Sequence, residues 1–426
     1  MTATTESPTS APPWLRVLSE YDLFNRKGTD GPHHVRVSPL GDGLINETFL
    51  VEATPDADPD APAGSSPQRA VLQRVSPIFG RSVHDDIEAI TAHLAQKGLV
   101  TPRLVRTRRG ELSVQLAADD HAPTATGTAT GAATGAAAGT ATGSTTGAAT
   151  DASATGSIWR VLTFIPGHCY PRMNVALASP AGNLVGRFHV AVSDLQHRFH
   201  FSRPGAHVLT QHLDRLKTAL ADASRPDFVP KEAPVPAAFF PLAEALLRHG
   251  ETLPLSDVQV ATLPRRICHG DLKASNLRFD EAGHGLCLLD LDTLGLLPLP
   301  LELGDALRSW CNASPYGEDS ADAHFDLSLF EAALHGYAQA AAPLLNRDEI
   351  TSLVAGVERI SFQLAVRFAV DVVGQSYFRF RVDPVRHPSR AAHNLLRAQG
   401  QWSLAQAIAA ARRDAEAIVD RLFPAA

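Results

Sequence analysis

Residues 267–292, ICHGDLKASNLRFDEAGHGLCLLDLD, constrain the fold more than any other stretch. Asp271, Lys273 and Asn276 crowd into one turn between apolar flanks. Polar groups held among apolar neighbours need partners, so the surrounding fold has to supply them. After Asn276 the pattern reads as a strand, a tight acidic turn containing glycine, and a second buried strand ending in Asp290 and Asp292. A hairpin of that length returns Asp290 to the side of Asn276. The chain must therefore fold so that a carboxylate, an ammonium, an amide and a second carboxylate meet at one point.

Phosphoryl transfer asks for that set: an acceptor for the proton of the attacking hydroxyl, cations against the spreading charge, and oxygen ligands for a metal on the phosphates. Asp271 would receive or orient the hydroxyl proton, and Lys273 would reach the γ-phosphate. Asn276 would give an amide oxygen to magnesium (Mg2+), and Asp290 would bridge that ion to the phosphates. The spacing from Asp271 to Asn276 matches the protein-kinase pattern H-R-D-L-x-x-x-N. Asp292 either helps the metal, caps a turn or belongs with the acceptor-binding groups. His269 reads as structural, packing and hydrogen-bonding the loop. Asp305 in LELGDALRSW caps a helix or braces the catalytic loop, with bracing the preferred reading.

The segment before this stretch is strand-rich. Residues 33–53 show two β-rich runs around a Gly-containing turn, and residues 69–77 a third strand. Val83, Ile87, Ile90 and Leu94 repeat at helical spacing behind Ser82, with Gly98 marking the end. RLVRTRRGELSVQL and SIWRVLTFIPG read as two more strands. Between them, about residues 120–157, lies a run almost wholly of Ala, Thr and Gly, which buries too little surface to offset its ordering entropy and is expected to be a disordered loop. In this front part LGDGLINETF would cover phosphates, with Gly41 and Gly43 letting the backbone approach. Arg74 occupies the strand position of a phosphate-binding lysine, with Glu88 on the next helix to pair with it. Thr163 and Ile165, at the junction with an expected hinge near residues 164–167, complete the nucleotide-binding candidates. No G-x-x-x-x-G-K-[ST] occurs, so a P-loop is excluded.

From about Asn174 the chain turns to long amphipathic helical patterns, such as NLVGRFHVAVSDL, FDLSLFEAALHGYAQAAAPLL and RDEITSLVAGVERISFQLAVRFAVDVV. The expected organisation is a loose tail over residues 1–14, a nucleotide-binding lobe over 15–166 and a catalytic and substrate-binding lobe over 167–426. Its class is α+β: a small N-terminal antiparallel sheet lobe with one helix, and a large, mainly helical C-terminal lobe. The net charge of −7, with Lys and Arg scattered, leaves no electrostatic footprint for nucleic acid or anionic lipid. The four cysteines lie far apart without a C-x-x-C pair, as in a reducing, cytoplasmic setting. The N-terminus has no basic or apolar leader pattern, and no run of about 18 apolar residues occurs, so export and membrane spanning are not expected.

The stretches GDGLINETFLV, VLQRV, DIEAITAHL, WRVLTFI, HGDLKASNLRFD, LLDLDTL, LGDALR, VRFAVDVVGQSYF and AHNLLRAQGQWSLA resemble the aminoglycoside phosphotransferase and choline kinase-like superfamily. Within it, the last two are most similar to N-acetylhexosamine 1-kinases. The resemblance implies a protein-kinase-like bilobal fold, MgATP as donor and the anomeric hydroxyl of a sugar as acceptor. By position it makes Asp271 the base and Asn276 and Asp290 the metal ligands. It places Arg367 and Tyr377 against the sugar and Asn46 in the loop over nucleotide and sugar. The expected partner is thus a small sugar, with no nucleic acid and no membrane. A different amino sugar, an aminoglycoside or a small alcohol is the alternative acceptor, and a nucleotide-binding pseudokinase the alternative of another class. An acidic acceptor pocket would favour cationic substrates, whereas a neutral one bearing Arg367 would not.

Overall fold

The computed structural model describes residues 12–24, 35–41, 45–53, 67–117, 156–378, 380 and 382–424. Gly43 and most of the Ala/Thr/Gly run, residues 118–155, lie outside the described residues. The chain divides into two compact units. One comprises Met1–His84 and Leu104–Phe164, the other Asp85–Arg103 and Ile165–Ala426.

In the first unit, helix α1 (Pro13–Ser19) is followed by strands β1 (Val35–Pro39), β2 (Glu47–Ala53) and β3 (Gln68–Val75). Helix α2 (Val83–Gln96) comes next, then β4 (Val114–Gln115) and β5 (Ile158–Thr163). The five strands form one antiparallel sheet in the order β1-β2-β3-β5-β4. Side-chain alternation decides which face is buried. Ala70 and Leu72 of β3, Val51 of β2 and Trp159 and Val161 of β5 form a core with Val17, Leu18, Tyr21 and Phe24. Gln73 and Arg160, directly opposite in the register, pair through Arg160 Nε and Nη2 to Gln73 Oε1 at 2.9 and 2.7 Å.

Three expectations need correcting. Pro13 and Trp14, placed in the loose tail, stand in α1, where Pro at the first helical position costs no hydrogen bond. The segment RLVRTRRGELSVQL forms only the two-residue β4 and an isolated bridge from Leu104 to Leu162. From Asp85 onward α2 groups with the helical unit rather than the sheet. Its buried Asp86 accepts the backbone N–H groups of His200 and Phe201 at 2.9 Å, and His93 and Lys97 both bond Asp194.

The second unit continues with α3 (Val175–Val192), α4 (Leu209–Ala223), α5 (Phe239–Gly250) and α6 (Asp257–Thr262). The short strands β6 (Arg266–Cys268), β7 (Leu277–Phe279), β8 (Gly285–Leu288) and β9 (Gly295–Leu297) follow. After them come α7 (Leu299–Trp310), α8 (Leu327–Ala341), α9 (Arg347–Thr351), α10 (Leu353–Gly374) and α11 (Arg390–Leu422). The small antiparallel sheet and the helical C-terminal unit together give the α+β, kinase-like architecture. β6 pairs with β9 and β7 with β8, both antiparallel. The expected long helix across 347–373 breaks at Ser352 into α9 and α10. Helix α10 is buried along most of its length, and Phe362, Ala365, Val366, Ala369 and Val372 pack with residues of α4, α5 and α11. Among the described residues no helix is long and apolar enough to cross a membrane.

Helices α3 and α8 touch backbone to backbone. A Cβ at Gly336 would lie 1.9 Å from the Ser179 carbonyl oxygen, and one at Gly182 would lie 1.9 Å from that of Ala333. Ala exceeds Gly in helix propensity by about 1 kcal/mol, but the steric penalty of overpacking, about 1–3 kcal/mol, acts against the gain. Gly336→Ala should therefore lower the chemical denaturation midpoint. An unchanged or raised midpoint would contradict this close approach.

Candidate functional site

The loop from His269 to Asn276 has few ladder partners, so its buried N–H groups need acceptors from elsewhere. Helix α7 supplies them from one face. Glu302 Oε1 and Oε2 accept from the N–H groups of His269 and Gly270 at 2.7 and 2.9 Å, and Asp305 Oδ2 accepts from Leu272 at 2.9 Å. Ser309 Oγ accepts from Ala274 at 3.2 Å, and Trp310 Nε1 donates to the Leu272 carbonyl at 2.7 Å. Spacing of three, seven and eight residues puts these side chains on one side of the helix. Asp305 thus braces the loop, as expected, and Glu302, which the sequence reading missed, holds the two residues before Asp271.

Burial alone would raise the Glu302 carboxyl, yet it is held below its usual range by His189, 3.5 Å away, and by His269. Asp305 is raised by burial, although Arg308 bonds its Oδ1 at 2.8 and 3.0 Å. His269 is fully buried and structural: its Nε2 lies 2.8 Å from the Leu289 carbonyl, and its own carbonyl accepts from Thr293 Oγ1 at 2.7 Å. Gly270 has φ +79, and a Cβ there would sit 2.5 Å from the Thr293 carbonyl oxygen. The turn admits only glycine without displacement.

On this support the predicted residues meet. Lys273 Nζ donates to Asp271 Oδ2 at 2.8 Å, and Asn276 Nδ2 donates to the carbonyl and Oδ2 of Asp271 at 2.9 and 3.0 Å. With its nitrogen turned to Asp271, the Asn276 amide has its oxygen as the atom a cation could use. In the β7–β8 register Leu277 faces Leu288, and Leu289 N–H bonds the Asn276 carbonyl at 2.8 Å. This carries Asp290 back beside the loop. Asp290 adopts φ 60 and ψ 64, a left-handed conformation rare for a residue other than glycine.

The carboxylates are pushed apart. Burial raises Asp271, but the charge and hydrogen bond of Lys273 outweigh it and hold the carboxyl below its usual range. The Lys273 ammonium, opposed by burial, is held charged by Asp271 and Asp290. Burial, then Asp292, pushes Asp290 up to about 6. Asp292 is fully buried in the turn after Asp290. Its charge is one of the causes that raise Asp290. The neighbouring oxygens of Asn276 and Asp290 suit a hard divalent cation.

A second group approaches Asp271 from α10 and the α3–α4 connection. Arg367 Nη2 lies 3.1 Å from Tyr377 Oη, and its guanidinium lies 5.5 and 5.6 Å from the Tyr377 and Phe378 ring centroids. Asp371 fixes this corner by accepting the N–H groups of Ser376, Tyr377 and Phe378, each at 2.9 Å. Arg203, absent from the expected set, comes within 3.3 Å of a Cβ built on Gly270, and its charge is coupled to those of Asp271, Tyr377 and Arg367. No periodic pattern marks FSRPGAH. Glu302 had a readable signal, a carboxylate three residues before Asp305 on an otherwise apolar helix face.

The candidates of the first unit are placed within that unit. Gly41 has φ +69. Asn46 is buried, with its Oδ1 accepting the Ser76 N–H at 2.9 Å, a bond that ties the β1–β2 loop to the end of β3. Arg74 pairs with Glu47, its cross-strand neighbour, at 3.2 Å. Thr163 ends β5 opposite Ala70. Glu88 and Ile165 belong to the second unit, where Glu88 lies 3.6 Å from Arg103.

A family described as a phosphotransferase enzyme family matches residues 36–344. The solved structure of an aminoglycoside phosphotransferase from Alicyclobacillus acidocaldarius is similar in fold, with a TM-score of 0.56 and 16% identity over 97% of this chain and 98% of that one. A choline kinase from Cryptosporidium parvum aligns with a TM-score of 0.48 and 10% identity over 92% of this chain and 94% of that one. No curated protein matches the chain.

Two outcomes follow from the geometry. Glu302→Ala would strand two buried N–H groups, at a cost of about 2–4 kcal/mol, measurable by denaturant titration; a change within error would show that the loop finds other acceptors. Because a cation must displace the proton from Asp290, its affinity should weaken about tenfold between pH 7 and pH 5. Isothermal titration with magnesium at both values reads this, and equal affinities would remove Asp290 from the ligand set.

Proposed function

We propose, from the premise that the chain belongs to the phosphotransferase enzyme family, that it transfers the γ-phosphate of ATP to a hydroxyl of a small sugar, the anomeric hydroxyl of an N-acetylhexosamine. The observation that carries the reading is the convergence of Lys273 and Asn276 on one Asp271 oxygen, with Asp290 returned beside them by the hairpin. Asp271 stays ionised at neutral pH and accepts a hydrogen bond from the acceptor hydroxyl, orienting its oxygen for in-line attack. It takes the proton as the new P–O bond forms and the bond to ADP breaks. The Lys273 charge offsets the negative charge on the transferring group. A divalent cation bound by Asn276 and Asp290, magnesium in this reading, supplies charge neutralisation on the phosphates. Arg74, Gly41 and the start of the segment after β5 are the proposed nucleotide contacts. The Arg74–Glu47 pair is exposed, worth about 0–1 kcal/mol, so a phosphate could compete for Arg74.

Arg367 and Tyr377 support a sugar acceptor, because a guanidinium and a phenol hold hydroxyl and carbonyl oxygens through fixed donors. Arg203 and Arg367 disfavour the cationic alternatives, choline and aminoglycosides, by like-charge repulsion.

The test is ADP release by the purified chain with MgATP against free hexoses, N-acetylhexosamines, choline, homoserine and aminoglycosides. Asp271→Ala should lower kcat by about 10²–10⁴-fold while nucleotide binding persists. Equal turnover by the variant would overturn Asp271 as the group that handles the proton, and tight ATP binding without turnover on any acceptor would favour a pseudokinase.

A further inference from the structure

Two arginines of the second unit lie together without an acidic partner, Arg203 beside the loop of Asp271 and Arg367 beside Arg203 and Tyr377. No carboxylate forms a salt bridge with Arg203 or Arg367 among the described residues. Arg266, Arg308, Arg359, Arg390, Arg397 and Arg412 of the same unit pair with Glu349, Asp305, Asp257, Glu232, Asp319 and Glu358, while Arg172, Arg187, Arg265 and Arg386 bond backbone carbonyls. Arg203 and Arg367 differ in lying together, with Tyr377, next to the loop of Asp271. The acids nearest the two arginines are already engaged. Asp271 holds Lys273 and Asn276, Asp305 holds Arg308 and the Leu272 N–H, and Asp371 holds three backbone N–H groups and Asn394.

The neighbouring histidine adds no counter-charge. His207 is pushed down to about 3 by burial and by Arg203 and Arg367, and its Nδ1 is buried without a hydrogen-bond partner. An arginine offers five N–H donors and no acceptor. Two of them with a phenol beside them form a donor-rich corner, whose donors the oxygens of a sugar satisfy in part while its two positive charges stay unmatched by a neutral polyol. An anion is the ligand that such a corner lacks, and charge-assisted bonds from guanidinium to carboxylate or phosphate are the strong ones.

We propose that the sugar acceptor carries an anionic group, gripped by Arg203 and Arg367 beside Tyr377, while its hydroxyl meets Asp271. This rests on the kinase reading above and narrows its substrate class. The anion fixes the end of the acceptor distant from the attacking hydroxyl. Its binding energy is uniform through the reaction, so it acts on KM more than on kcat. Raised salt should weaken it by screening.

The experiment measures kcat and KM with MgATP for three matched acceptors: a neutral N-acetylhexosamine, a hexosamine or hexuronic acid bearing a carboxylate, and an N-acetylhexosamine 6-phosphate. The expected result is kcat/KM at least about tenfold higher for an anionic acceptor than for its neutral match. The carboxylate and phosphate arms tell which anion fits. Arg203→Gln and Arg367→Gln should each raise KM for that acceptor by about tenfold or more and shrink the preference, with kcat changed far less. Arg203 is exposed, so folding of its variant can be checked by an unchanged melting temperature.

Preference for the neutral sugar, or an Arg203→Gln defect in kcat that is the same for every acceptor, overturns the proposal and leaves the sugar-kinase reading standing. The second pattern would place Arg203 on the transferring phosphate instead. Turnover confined to choline or an aminoglycoside overturns both. Preference for an anionic acceptor that survives both substitutions removes these arginines from its recognition and likewise overturns the proposal.

Discussion

The Glu302 carboxylate, buried under the loop that carries Asp271, is the contact on which the site geometry depends. It takes two successive backbone N–H groups, those of His269 and Gly270, immediately before Asp271. A loop so placed cannot turn to water for those bonds, and an orphaned buried N–H is expensive. The position of α7 therefore sets the position of Asp271. Helix α7 is in turn fixed against α10, where a Cβ at Gly304 would lie 2.6 Å from the Gly356 carbonyl and one at Gly356 would lie 2.1 Å from that of Pro300. Since α10 also carries Arg367, one buried helix fixes the loop and that guanidinium together.

The electrostatics divide labour between two carboxylates only a hairpin apart. Asp271 has Lys273 as partner and is held ionised, whereas Asp290 has Asp292 as neighbour and is pushed up to about 6. Opposed shifts of this kind assign opposite tasks to chemically identical groups. The ionised one can serve a proton in flight. The other gains most from a positive ion at its side, and its left-handed backbone is held in place by the buried 3-10 turn that follows. Strain at this residue is tolerated because the β7–β8 register and the His269 bond to Leu289 over-determine the hairpin end.

Much of this was legible where the signal was local. The spacing of Asp271, Lys273 and Asn276, the acidic turn and the return of Asp290 all lie within one hairpin-length stretch, and short-range chain geometry brings them together. Asp305 was readable as a brace because it follows closely on that hairpin, although it stands in the middle of α7 and not at its start. What was not legible depends on contacts between distant segments. Asn46 reads as a ligand-covering residue in a glycine-containing turn, and the bond its amide oxygen accepts from the Ser76 N–H, 30 positions away, is not visible in that pattern. Arg74 is matched by its cross-strand neighbour Glu47, which no helical or motif argument anticipates. Helix α2 carries an ordinary amphipathic pattern, and the bonds of Asp86 to residues 197–201 and of His93 and Lys97 to Asp194 tie it to the helical unit.

The corner formed by Arg367 and Tyr377 shows why residue type alone does not define a site. Tyr377 remains 65% exposed, so it contributes little to a core. Yet its backbone is held by Asp371, and the preceding Gln375, itself left-handed at φ 46, bonds the backbone of Glu232 and Ala233 through its side chain. The three N–H groups bonded to the buried Asp371 carboxylate order the base of this exposed ring. The ordering cost makes sense if it is met in advance of binding, since a rigid phenol and a stacked guanidinium then lose little freedom when a ligand arrives. An exposed phenol held rigid at its backbone, with a stacked guanidinium that has no carboxylate partner among the described residues, is the physical mark of this corner.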